Sequence, residues 1–233
     1  MYRAEIYKYK KTGSFKLMLL VMSVFSLYKY MVPSYNSLDE MVINIGWAPM
    51  LFILFSAVHI ALLDKHQNTI RNIVSSGMAR SSIYYAKLKV TLYVVLLMCV
   101  VDSVIAVVAG LVYHMLPISG NVPFLAINFA YRLLLCFITA MLYFAIAYFI
   151  NNTVWALMAC LAYHVYAAPL LTKIGGVLGI RLDLASFTIP GISKYVITRD
   201  MTTLQILSIV ITVVITLIIV LIVPGLTSKR EAR

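Results

Sequence analysis

Long runs of apolar residues decide what this chain can become. Around residues 15–32, 45–63, 90–113, 123–150, 153–171 and 204–223, apolar side chains follow one another with few charges. About 20 such residues, wound as a helix, cross the hydrocarbon of a bilayer. A helix satisfies its backbone polar groups within one segment, so lipid admits it and refuses an open sheet edge. Composition agrees, with 63% hydrophobic and 12% charged residues, against about a quarter charged in soluble domains. The sequence therefore predicts an all-α polytopic membrane protein with six transmembrane helices in a single transmembrane domain, residues 1–233. It shows no soluble domain and no internal repeat.

The segments between the runs have their own chemistry. Residues 1–14 carry Arg3, Lys8, Lys10 and Lys11, with Tyr2, Ile6 and Tyr9 at helical spacing. That pattern predicts an interfacial helix ahead of the first span. A signal peptide would need a small-residue cleavage site after the run, and none follows. Lys29, between Tyr28 and Tyr30, is expected to snorkel outward from the first span. Asn151-Asn152 leaves room only for a tight turn. Residues 172–203 mix Gly175-Gly176, Arg181, Asp183, Pro190-Gly191, Lys194, Arg199 and Asp200 with apolar pieces too short to span. Such pieces are expected to form an extracellular re-entrant region, their backbone covered by protein. Pro224-Gly225 is expected to end the sixth span.

The net charge of +11 suggests nucleic acid only where a soluble basic and aromatic surface exists, and no such surface is available here. It is better explained by basic residues kept on one side of a membrane. Thirteen basic residues fall with the termini and residues 64–89, and six (Lys29, Arg132, Lys173, Arg181, Lys194, Arg199) on the other side. Both termini are therefore expected in the cytoplasm. Cys99, Cys136 and Cys160 all lie within apolar runs and show no metal or disulfide spacing, as buried structural thiols would.

Residues 64–89 form the one long polar interruption in the first half of the chain. Asp64 with Gln67 has the shape of a capping box, with Asn68 as a competing cap. Thr69 to Ser76 makes about two turns, with Ile70, Ile73 and Val74 on one side and Arg71, Asn72 and Ser75 on the other. Gly77 sits where a helix would stop, and Ser81 or Ser82 can cap the helix that follows. The expected element is a short cytoplasmic helix lying across the ends of two spans.

From Leu63 to Leu88, the succession Asn68-Thr69-Ile70-Arg71-Asn72-Ile73, Ser76-Gly77, Arg80 and Lys87 resembles the first cytoplasmic loop of ABC-2 type transporter permeases. The familiar pattern there is GTI(K/R), then a G-x-x-R turn, then a Lys. Asn68 stands where Gly is usual. The motif covers about a tenth of the chain, and the span count and loop layout extend the likeness over its length. The resemblance implies a coupling helix docked in a groove of a separate ATP-binding subunit, through Asn68, Thr69, Arg71, Asn72, Ser75, Gly77 and Arg80. It implies ATP and magnesium on that subunit and none on this chain. It also implies a helical hairpin between the fifth and sixth spans, and the plasma membrane of a bacterium. The cargo it implies is hydrophobic or amphipathic: a peptide, a bacteriocin or a drug, for export.

Ionisable groups within a membrane are costly and mark function by default. Asp102 lies midway along the third span and Arg132 in the outer half of the fourth. They can meet between antiparallel neighbours, and a structural ion pair is a plainer reading than substrate contact. His59 and His164 fit local hydrogen bonds better than a proton relay. Tyr143, Tyr148, Tyr163 and Tyr166 can line a path for cargo or simply pack and anchor. The chain has no G-x-x-x-x-G-K-[ST] loop, no H-E-x-x-H pair and no G-x-S-x-G elbow. The function that the resemblance implies is a permease subunit, expected to pair as a homodimer or with a related chain. The alternatives are a proton-coupled transporter or channel using Asp102, His59 and His164, and a membrane scaffold that transports nothing.

Overall fold

The structure is a computed structural model that describes residues 6, 7, 9, 11, 13–31, 47–66, 79–112, 122–178, 184–193 and 202–231. Every regular element among the described residues is helical: α1 (Gly13–Met31), α2 (Trp47–His66), α3 (Arg80–Val112), α4 (Val122–Ile150), α5 (Thr153–Val177), a 3-10 turn (Leu184–Phe187), the one-turn α6 (Ile189–Ile192) and α7 (Thr203–Glu231). Four contain windows long and apolar enough to cross a bilayer: Ser81–Val112, Ala126–Ile150, Thr153–Val177 and Thr203–Thr227. The chain is an all-α membrane protein.

Six such spans were expected, and α1 and α2, of 19 and 20 residues, are not among these four. α2 has 20 residues, about 30 Å at about 1.5 Å per residue, which matches about 30 Å of hydrocarbon, and Pro49–Leu63 within it is apolar. α1 places Lys16 and Lys29 near its two ends. Both helices nevertheless join the core. Ahead of α1, Tyr9 is buried against Phe15, their ring centroids 5.1 Å apart. Ile6, Tyr7, Tyr9 and Lys11 are helical, Gly13 and Ser14 begin α1, and the rest of the expected interfacial segment lies outside the described residues.

α4 sits at the centre and α5 at the edge. Over half of the α4 window (56%) is buried, against 17% for α5. α2 and α7 both pack on α4, and α1 packs on α3. Ala57 and Ala61 of α2 meet Ala140, Ala145 and Ala147 of α4 in one cluster. Small side chains bring helix backbones close, the chief source of packing energy where lipid is as apolar as the protein. On α7, Ser208, Thr212 and Thr216 form a buried stripe at four-residue spacing. The two threonine hydroxyls bond the carbonyl four residues back, and Ser208 bonds Gln205. Buried hydroxyls are thus satisfied within their own helix.

One helix limit falls close to expectation and two depart from it. α3 begins at Arg80, beside the expected caps Ser81 and Ser82, so residues 80–89 are helical turns ahead of the expected span. α5 runs past residue 171 through Gly175-Gly176 to Val177. A glycine stops a helix when it takes the left-handed turn. Here Leu178 closes the helix in a right-handed conformation, φ −80. α7 continues through Pro224-Gly225 to Glu231. Pro224 has no N–H for the Val220 carbonyl, but the Tyr84 hydroxyl donates to that oxygen at 3.0 Å. One α3 side chain thus fills the gap that proline opens in α7.

The α4–α5 connection is Asn151-Asn152. Asn151 takes φ 66, a left-handed conformation that asparagine tolerates better than most residues. Asn152 caps α5, accepting from the backbone N–H groups of Val154 and Trp155. Within residues 172–203, the described part after α5 is the 3-10 turn and α6 alone, so only one short helical piece of the expected re-entrant hairpin is seen. It is buried against α4 and α5: Tyr131 donates to the Ile192 carbonyl at 2.6 Å, and the Ile189 N–H donates to Tyr163 at 3.2 Å. Gly191 is required there, because a methyl group would strike the Ala185 carbonyl.

Candidate functional site

Of the coupling residues expected from sequence, Asn68, Thr69, Arg71, Asn72, Ser75 and Gly77 lie outside the described residues. Arg80 is the first residue of α3, and its side chain also lies outside them. What the structure gives is the ground on which that segment stands. α2 ends at His66 and α3 starts at Arg80. The two helices are joined a few turns further in by Lys87. This lysine is buried, and its Nζ donates to the Ala61 carbonyl of α2 at 3.2 Å. An ammonium is expensive to bury unless it is bonded, so the lysine holds α3 to α2.

Tyr84, one turn before Lys87, is the second anchor. It is fully buried, bonds Val220 of α7, and packs edge-on against Tyr148 at 4.8 Å and against Phe144 at 5.2 Å. The first turns of α3 therefore grip α2, α4 and α7 together. Sequence reasoning placed Lys87 in the polar loop and gave Tyr84 no role. A tyrosine and a lysine three apart share one helical face, but nothing local says that this face turns inward.

Asp102 is buried in α3, and its Oδ2 accepts from the Tyr30 hydroxyl of α1 at 3.3 Å. Lys29 Nζ lies 3.4 Å from the same hydroxyl. Its Nζ also lies 4.6 Å from the centroid of the Tyr30 ring, so the ammonium rests against that tyrosine. Arg132 spends Nη1 on the Ser193 carbonyl at 2.6 Å, tying α4 to the α6 turn. These bonds thus link Lys29, Tyr30 and Asp102, while Arg132 is bonded to Ser193. Tyr30 is the member that sequence reading missed.

The other intramembrane candidates are dispersed. His59 is half-buried beside Tyr9, ring centroids 6.0 Å apart. His164 Nδ1 lies 2.9 Å from the Tyr143 hydroxyl. Phe15, which packs on Tyr9, and Tyr30, which reaches Asp102, are separated by about 22 Å along α1. His59, Asp102 and His164 are each held by a different tyrosine. Among the four path tyrosines, Tyr143 is buried, Tyr148 packs on Tyr84, and Tyr163 accepts from Ile189. Tyr166 is 60% exposed on the outer face of α5.

Cys99, Cys136 and Cys160 are buried thiols, none of them in a disulfide. No group of three or more His, Cys, Asp or Glu side chains suited to a metal ion occurs among the described residues. Ahead of the bundle, burial pushes the Tyr9 phenol up to about 12. Comparison with family models, with curated proteins and with solved structures finds no match for this chain.

Proposed function

We propose that this chain is the membrane-spanning permease subunit of an ATP-driven transporter of the ABC-2 type, with α1 and α2 completing a six-helix bundle. Residues 64–79 lie on the cytoplasmic side and receive a separate ATP-binding subunit. Export of a hydrophobic or amphipathic cargo follows from tilting of the bundle. Two copies, or two related chains, enclose the path.

The observation that carries this reading is the Lys87–Ala61 bond between α2 and α3. A segment joining two helices that are bonded near its ends cannot shift without moving both. Tyr84 extends that tie to α7. A push on residues 67–78 is then passed into three helices at once, as a two-state bundle requires. The quoted loop motif supplies the identity of the pushing partner.

Co-purification in lipid nanodiscs tests it. An ATP-binding protein should be captured by the wild-type chain and lost with Arg71→Glu or Gly77→Glu. Lys87→Met should keep capture but weaken the cargo stimulation of ATP hydrolysis. Transport that tolerates all three changes yet is abolished by Asp102→Asn would replace this reading with a proton-coupled one.

A further inference from the structure

The outer face of α3 carries an open groove of about 490 Å³ lined by Lys89, Leu92, Tyr93 and Leu96, and completed by Phe137 of α4. Its volume falls within the range of about 300–1,000 Å³ typical of ligand pockets. Four of the lining residues follow one helical stripe, i, i+3, i+4, i+7, and only Lys89 is charged. Lys89 is exposed, while Lys87, two residues before it, is buried and bonded to α2. Two residues turn a helix by about 200°, so the second lysine looks away from the bundle.

Its height along the helix matters. From Val90 to Val112, α3 has Asp102 as its one charged residue, and Asp102 is buried. That stretch is about 34 Å long, close to the thickness of hydrocarbon. Lys89 therefore stands where the acyl region gives way to phosphates. The groove runs from it toward Leu96, about 10 Å into the acyl layer. A cation at headgroup level above an apolar channel complements an anion that carries a chain.

We propose that this groove binds an anionic glycerophospholipid of the leaflet at the N-terminal end of α3. The headgroup pairs with Lys89 and the first part of one acyl chain lies along Leu92, Tyr93, Leu96 and Phe137. The proposal needs only that the chain is embedded in a membrane, and it stands or falls apart from the transport reading.

Native mass spectrometry of the purified full chain with an equal mixture of phosphatidylglycerol and phosphatidylcholine tests it. The wild-type chain should retain phosphatidylglycerol about fivefold in preference, the effect of one lysine near an anionic surface. Lys89→Ala should abolish the preference, while Lys16→Ala, at an exposed lysine of α1, should keep it. Leu96→Trp fills the groove, leaves the charge, and should also abolish it. No preference in the wild type, or a preference unchanged by Lys89→Ala, overturns the proposal. A preference unchanged by Leu96→Trp overturns the groove as the chain's seat. Disulfide cross-linking of two copies through Leu96→Cys in vesicles of the same composition would assign this face to a second copy and overturn it as well.

Discussion

Tyr30 carries more of the α1–α3 contact than its position near the end of a helix suggests. It is fully buried and is the hydroxyl that Asp102 and Lys29 share. Hydrogen bonds to charged groups contribute more than neutral ones, although interhelical bonds in membranes average below the values for water-soluble proteins. Tyr30→Phe should therefore destabilise the chain by about 1–2 kcal/mol, measured by SDS unfolding in bicelles. Tyr9 makes a prediction about pH. Its phenol is pushed up to about 12 by burial, above the ordinary 10.0. The neutral form is favoured in the folded chain, so this contribution is complete below pH 10.0 and disappears as pH rises toward 12. In that window the unfolded chain binds fewer protons, and stability falls with pH. Tyr9→Phe should flatten the alkaline limb of the unfolding curve while leaving the neutral region little changed.

Individual elements show why a helix can ignore its own punctuation. Pro224 was expected to stop α7, and it does not, because Tyr84 supplies the missing donor to Val220. The two positions should be coupled. Tyr84→Phe should cost about 1 kcal/mol, and most of that cost should vanish in a Pro224→Ala background, where residue 224 regains its N–H. A double-mutant cycle in bicelles checks the sign. The α4–α5 turn gives a second test: Asn152→Ala removes the cap and should destabilise by about 1 kcal/mol. The apolar runs made the long helices α3, α4, α5 and α7 legible, because the bilayer imposes length and hydropathy on sequence. The start of α3 was legible in Ser81 and Ser82, whereas the run of α7 on to Glu231 was not, since it depends on a hydroxyl that α3 offers. The polar side chains Asp102, Arg132, His59 and His164 could be picked out for the same reason, but their partners could not. Tyr30, Tyr143, Ser193 and Tyr9 are remote in sequence, and only packing brings them near.

For the whole molecule, charge placement predicts a single topology. Cys99, Cys136 and Cys160 are buried, so the native chain should resist a membrane-impermeant maleimide and react only after unfolding. Single cysteines introduced between residues 68 and 76 should then label from the cytoplasmic side alone. Labelling from the outside would remove any partner that works from within the cell. A broader consequence follows from the Tyr84 and Lys87 contacts at the foot of α3. Helices fastened at a common point cannot wander separately. Methyl probes on α2, α3 and α7 should report one shared exchange rate in relaxation-dispersion experiments, and Lys87→Met should split it into several.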